Sequence, residues 1–321
     1  MDIFKTHFLP LISLNSLPGF PAAQEKIPGL GRHNLTICQP NETLVNNEKL
    51  ARHLDFRKLA MLFTMLIPLE VTKVTVDKIL LFGDSITELS YNQELSFNLS
   101  PALQHEYFRK LQVVARGFGG YTTEHGRHIV GPILDAEEAG GSAIRLMTIF
   151  FGTNDASVDA VTLERFIENL TFIAKLVAER GISLIIVGPA LINEDGGITD
   201  KSTMRNLEYS NAACKVASEL GVPFIDLWHA FLKSKGWVEG EPIPGKRGDH
   251  SGQDFDDLLS DGVHFTGKGY KIWYDLLLQT IRDKYPELGT ENLPTTLPHI
   301  SNVDNSNLPA SLWQDVGAGQ N

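Results

Sequence analysis

Along the 321-residue chain the hydrophobic pattern changes character near residue 75. From there on, short apolar runs recur at Lys78–Phe82 (KILLF), Val113–Ala115 (VVA), Ile144–Phe151 (IRLMTIFF), Ile182–Val187 (ISLIIV) and Val222–Leu227 (VPFIDL). They do not alternate apolar with polar positions, as strands with one wet face do. Continuous runs fit strands buried on both faces of a parallel sheet. Between them lie helical periods. In Val161–Arg180, Leu163, Ile167, Leu170, Ile173 and Val177 recur at spacings of three and four, and Gly181 follows as a left-handed cap. A second helix is expected from the cap residue Ser202 to just before Gly221, and a third after Thr266 through Ile272, Trp273, Leu276, Leu277 and Ile281. Strand and helix in alternation predict an α/β fold, a doubly wound three-layer α/β/α sandwich.

The flanks read differently. Residues 1–75 are rich in Pro, Asn and Leu, with one helical stretch at about 50–65 carrying Arg52, His53, Arg57 and Lys58. They are expected to form a largely irregular N-terminal extension. Residues 76–288 make the folded domain, and residues 289–321, rich in Pro, Asn and Ser, a flexible tail.

Charge and composition narrow the function classes. A formal net charge of −11 argues against nucleic acid and anionic membranes as partners. The longest apolar run, Leu59–Leu69, contains Pro68 and is too short to span a bilayer. Two cysteines, Cys38 and Cys214, exclude a thiolate-only zinc site and a multi-bridge scaffold, and free thiols are the expectation. The N-terminus is a poor signal peptide. Together these favour a cytoplasmic protein. The sequons at Asn34, Asn41, Asn98 and Asn169 are read as chance.

Four polar clusters fall at predicted strand ends or helix starts, where an open parallel sheet builds its sites. Gly83-Asp84-Ser85 follows the first run. A serine at such a turn exposes its hydroxyl beside helix N-terminal N–H groups, although the same tripeptide serves as an ordinary helix cap. Arg116-Gly117-Phe118-Gly119-Gly120-Tyr121 could bring backbone close to a ligand or merely end a strand. In Gly152-Thr153-Asn154-Asp155, an amide could donate into the same site or hold the turn. Asp261-Gly262-Val263-His264 lets a carboxylate orient one imidazole nitrogen while the other faces a nucleophile. A second pair at that spacing, Asp226 and His229, ends the fifth run, and spacing alone does not choose between them. Gly262 favours the Asp261 pair, because Leu227 and Trp228 read as continuing core.

In order and spacing the four clusters resemble the blocks of the GDSL/SGNH hydrolases: ILLFGDSITE, ARGFGGYTTEHG, FFGTNDAS and LSDGVHFTGKGY, over about Ile79–Lys284. The similarity is greatest to the isoamyl acetate-hydrolysing esterase branch. The resemblance implies a serine esterase acting on small-molecule, short-chain acyl esters through an acyl-serine intermediate. Ser85 would be the nucleophile, His264 the base and Asp261 its orienting carboxylate. The backbone N–H groups of Ser85 and Gly120 and the Asn154 side-chain amide would form the oxyanion hole, with no cofactor and no metal. It also implies a flavodoxin-like five-stranded parallel sheet in the order 2-1-3-4-5. The α/β-hydrolase elbow G-x-S-x-G is absent. One departure is Gly119, where the family often has Ser, which suggests a more flexible loop before the Gly120 donor. Phe118, Tyr121, Phe255 and Phe265 could form apolar walls or belong to the core.

Three rivals stay open. His250, Asp254, Asp256, Asp257, Asp261 and His264 between residues 249 and 264 could hold a metal for a different hydrolase, though an acidic solvated loop is favoured. An acyltransferase and a non-catalytic binding module could use the same scaffold.

Overall fold

The computed structural model describes residues 74–194, 200–249, 251 and 254–313. The N-terminal extension and its helix at 50–65 lie outside the described residues, apart from 74 and 75. Five parallel strands form one sheet: β1 (Lys78–Asp84), β2 (Gln112–Phe118), β3 (Ile144–Phe150), β4 (Ser183–Gly188) and β5 (Phe224–Asp226), in the order β2-β1-β3-β4-β5. The fold class and strand order are those expected.

Alternate residues of the central strands point to opposite faces, and both faces are dry. Ile79, Leu81, Leu146, Phe150, Ile185 and Val187 pack with α2 (Leu99–Glu106), α6 (Leu227–Ser234) and α7 (Gly267–Lys284). Leu80, Phe82, Met147, Ile149, Leu184 and Ile186 pack with α3 (Thr123–Glu138), α4 (Leu163–Glu179) and α5 (Thr203–Leu220). Two short helices complete the set, α1 (Ser85–Glu88) after β1 and α8 (Leu308–Leu312) near the end. Capping at Ser202 and Thr266 occurs where the sequence pattern places it, and Thr162 adds a third cap. Thr162, Ser202 and Thr266 each accept a backbone N–H at the start of α4, α5 and α7, and Gly221 ends α5 at φ +68°.

Three differences from the sequence reading have physical causes. The fifth apolar run, read to Leu227, ends as strand at Asp226, and Leu227 and Trp228, read as core, are buried in α6. Asp226 accepts the His229 N–H at 3.0 Å, and that cap turns the chain into α6. Helix α3 carries Gly126, Gly131 and Pro132, which weaken its local signal. It is held by packing, with Gly126 letting the helix approach Ile173 and Phe151. The expected flexible tail from 289 is instead docked over its first part. The Thr296 N–H donates to the Arg109 carbonyl at 2.7 Å, and Arg109 Nη2 donates to the carbonyls of Leu297 and Pro298 at 2.7 and 2.8 Å. Lys110 Nζ reaches the Leu293 carbonyl at 2.8 Å. Composition argues for disorder, but Arg109 and Lys110, adjacent at one turn, bind backbone carbonyls of this segment.

Strand register sets the level of the site. Gly83 of β1 sits opposite Gly117 of β2 and Phe150 of β3, so the first three clusters emerge side by side at the carboxyl edge. Gly117 has a packing reason to be glycine: a Cβ there would lie 1.9 Å from the Glu88 nitrogen and 2.5 Å from its Cα, both backbone atoms of α1. Gly117→Ala is therefore expected to destabilise the fold by about 1–3 kcal/mol, the usual range for overpacking, and to lower turnover by displacing α1. Thermal unfolding checks this, and a melting temperature equal to the parent's contradicts it.

Candidate active site

Ser85 is the first helical residue after β1. Asp84 caps α1 by accepting the Ile86 N–H at 3.0 Å. Tyr270 of α7 donates its hydroxyl to the Ile86 carbonyl at 2.6 Å, fastening α1 to the element that follows the fourth cluster. Ser85 is half-buried, and its Oγ lies 2.9 Å from His264 Nε2.

The fourth cluster is a pinned turn. Gly262 takes φ +84°, the left-handed conformation that glycine allows. Asp261 Oδ1 accepts the backbone N–H groups of Val263 and His264 at 3.0 and 2.8 Å, and Oδ2 lies 2.7 Å from His264 Nδ1. The Ser260 N–H donates to the His264 carbonyl, and the Asn193 N–H to the Gly262 carbonyl. Partial burial acts to raise the Asp261 carboxyl, but the hydrogen bonds from His264 and Val263 outweigh it and hold it below the usual range. A carboxylate at Nδ1 fixes the proton there and leaves Nε2 as the acceptor facing Ser85.

The second Asp-x-x-His pair has the same local geometry: His229 Nδ1 is 2.7 Å from Asp226 Oδ2. Its ring is not brought to a serine hydroxyl by any described contact. Position in the fold, not pairing, distinguishes the two.

The second and third clusters meet each other at the carboxyl edge of the sheet. Gly120 takes φ +76° in the loop after β2. Asn154 Nδ2 donates to the Tyr121 carbonyl at 3.0 Å, so the third cluster grips the second. Asp155, fully buried, accepts both the amide and the hydroxyl of Thr123 at the start of α3. The looseness expected of Gly119 is countered by Glu88 of α1, whose Oε2 accepts the Gly119 N–H. A Cβ at residue 119 would sit 3.2 Å from that oxygen, so glycine leaves room for the clamp. Sequence reading missed Glu88, although its place in the GDSITE block put it within reach. It also missed Lys201, which donates to the Asn154 side-chain oxygen at 3.3 Å. Of the candidate walls, Phe255 and Phe265 are core, whereas Phe118 and Tyr121 are partly buried and line a groove of about 350 Å³ with Ile129, Pro132 and Ile133.

The acidic stretch at 249–264 disperses. Asp257 pairs with Lys235 and Lys268, Asp256 accepts from Asn193, and Asp261 serves His264. Among the described residues no group of three or more His, Cys, Asp or Glu is placed to share an ion, and His250 lies outside them. The sequon Asn169 is buried and bonded to Arg127 and Glu124, and Cys214 is exposed; Cys38, Asn34 and Asn41 lie outside the described residues. No helix among the described residues is long and apolar enough to cross a membrane.

The doubly wound parallel sheet thus brings a strand-to-helix serine and an Asp-held imidazole together at its carboxyl edge. The chain belongs to the GDSL-like lipase/acylhydrolase family, whose model matches residues 81–272. It is 36% identical over 255 residues to an isoamyl acetate-hydrolyzing esterase of Saccharomyces cerevisiae, covering 72% of this chain and 98% of the relative. It is 28% identical to a human isoamyl acetate-hydrolyzing esterase 1 homolog, over 74% of this chain and 92% of that one. A crystal structure of a lipase/acylhydrolase from Enterococcus faecalis superposes with a TM-score of 0.50 at 26% identity, covering 68% of this chain and 98% of that chain. The protein is an ester hydrolase of this family.

Burial pushes the Asp84 carboxyl from the ordinary 3.8 up to about 7, helped by nearby Asp155 and opposed by the Ile86 N–H and Lys201. Its Oδ2 has no hydrogen-bond partner among the described residues, so little offsets the removal of charge from water. Between about pH 4 and 7 the folded state therefore holds a proton that the unfolded chain has released, and stability falls as pH rises through that window. Asp84→Asn keeps the capping oxygen and lacks this titration. Its stability relative to the parent is expected to rise between pH 4 and pH 8 by a few kcal/mol, at about 1.4 kcal/mol per pKa unit. Denaturant unfolding at several pH values checks this, and a pH-independent difference contradicts it.

Proposed function

We propose that the protein hydrolyses short-chain carboxylic esters through an acyl-Ser85 intermediate. The observation that carries the reading is the continuous chain from Ser85 Oγ to His264 Nε2 at 2.9 Å and from His264 Nδ1 to Asp261 Oδ2 at 2.7 Å. As Oγ attacks the ester carbon, its proton passes to Nε2, and Asp261 stabilises the imidazolium that forms. The tetrahedral oxyanion is held by the N–H groups of Ser85 and Gly120 and by the Asn154 amide. The carbon–alkoxide bond then breaks, and the alcohol leaves with the proton from Nε2. Water, deprotonated by the same nitrogen, hydrolyses the acyl-serine and returns the proton to Oγ. Asp84 serves the turn and not the reaction. Each step uses side chains and backbone of this chain, with no metal or organic cofactor.

Acetate-type substrates are supported by the yeast relative, named for hydrolysis of isoamyl acetate, which matches over nearly its whole length.

The test is a p-nitrophenyl ester series from acetate to palmitate. Acetate and butyrate are expected to turn over fastest, and chelator is expected to leave the rate unchanged. Ser85→Ala is expected to lower kcat by about 10⁴-fold or more, the scale set by removing a triad nucleophile, with an unchanged melting temperature. Residual activity near the parent's in that variant refutes the nucleophile assignment. His229→Ala is expected to retain parental kcat/KM; a collapse there transfers the base role to the other pair.

A further inference from the structure

The side-chain amide of Asn154 is useful to an oxyanion only if its NH₂ end, and not its oxygen, faces the site. The two ends are almost the same shape, so their partners decide which way the group points. Here two partners oppose each other. Lys201 Nζ, which can only donate, lies 3.3 Å from Oδ1, and the Tyr121 carbonyl, which can only accept, lies 3.0 Å from Nδ2. A flipped amide would set NH₂ against the ammonium and oxygen against the carbonyl. Both contacts would be repulsive.

We infer that Lys201 is a positioning residue for ester hydrolysis, fixing Asn154 with one N–H on Tyr121 and the other turned toward the site. The inference rests on the reading of Asn154 as an oxyanion donor.

The lysine is built into the fold. Its side chain is 13% exposed, and its three ammonium hydrogens meet three acceptors in one loop: the Thr153 carbonyl at 3.2 Å, Asn154 Oδ1 and Ser157 Oγ. The neighbouring backbone holds it in register. The Val158 N–H donates to the Asp200 carbonyl at 2.8 Å, and Arg205 Nε donates to the Ala156 carbonyl at 2.8 Å. The third cluster and the start of α5 are thus joined at three successive points, with Lys201 in the middle. Asp200 lies 3.9 Å from the same ammonium, and the buried carboxyls of Asp84 and Asp155 act on it through their charge. A cation behind the amide oxygen also polarises the amide, which strengthens the N–H groups at its other end.

The test is a double-mutant cycle on p-nitrophenyl acetate hydrolysis with the full chain. Asn154→Ala is expected to lower kcat by about 10²–10³-fold, the usual effect of losing one oxyanion donor. Lys201→Met keeps the aliphatic stem and removes charge and donors. It is expected to lower kcat by about 10–10²-fold, a part of the Asn154 effect, with KM nearly unchanged. In the Asn154→Ala background the same substitution should change kcat little, because residues acting as a unit are not additive. Lys201→Gln, which keeps donors without the charge, is carried through the same cycle, so a Met variant that fails to fold leaves the test standing. Equal losses in both backgrounds, or parental kcat in both folded lysine variants, overturn the inference. Parental kcat in Asn154→Ala overturns the oxyanion reading instead, so the two failures are distinct.

Discussion

The structure turns on one hydrogen bond across 179 residues of sequence, between the Ser85 hydroxyl and the His264 ring. Ser85 belongs to the first strand-to-helix turn and His264 to the last loop before the final long helix. For 2.9 Å to hold between them, the sheet must fix the first and α7 must carry the second back across it. Phe150 and Trp273 pack edge to face beneath, and the Tyr270 hydroxyl on the Ile86 carbonyl closes the gap above. The contact is the product of a packed core, so small displacements of α1 reach the site directly. The close approach of Gly117 to the α1 backbone belongs to the same constraint.

Much of this was legible in the sequence because the fold uses local signals faithfully. Unbroken apolar runs marked all five strands, and Ser202, Thr266 and Gly221 marked helix ends that the structure reproduces. The ordered clusters lie at strand ends and a helix start, and the parallel register sets the first three side by side. What escaped was set by partners distant in sequence. Helix α3 contains Pro132 and two glycines and persists through packing on α4. The segment at 290–298 follows Arg109 and Lys110, a dependence that composition does not carry. Glu88 and Lys201 look like surface charges until their partners, Gly119 and Asn154, are in place.

Those two residues share a logic. A backbone N–H in a glycine loop and a side-chain amide are both weakly aimed by their own covalent geometry. Each has an ionic side chain at a neighbouring group: Glu88 accepts the N–H of Gly119, the residue before Gly120, and Lys201 donates to the Asn154 oxygen. Opposite charges suit opposite ends of the peptide dipole, since a carboxylate accepts and an ammonium donates. The Gly at 119 is then less a loss of rigidity than a change in its source, from a side chain in the loop to one on the neighbouring helix.

The two Asp-x-x-His pairs carry the argument one step further. Asp226 with His229 and Asp261 with His264 both place the carboxylate 2.7 Å from Nδ1, and both carboxylates accept the backbone N–H of their histidine. Local sequence is enough to build the pair twice. It is not enough to make it useful, because at Asp226 the same bonds start helix α6, whereas at Asp261 they close a turn whose Gly262 carbonyl is tied to Asn193. That tie holds the second ring over the sheet edge where Ser85 emerges. The motif supplies the tautomer, and tertiary structure supplies the partner; only at the second pair does the ring meet a serine hydroxyl.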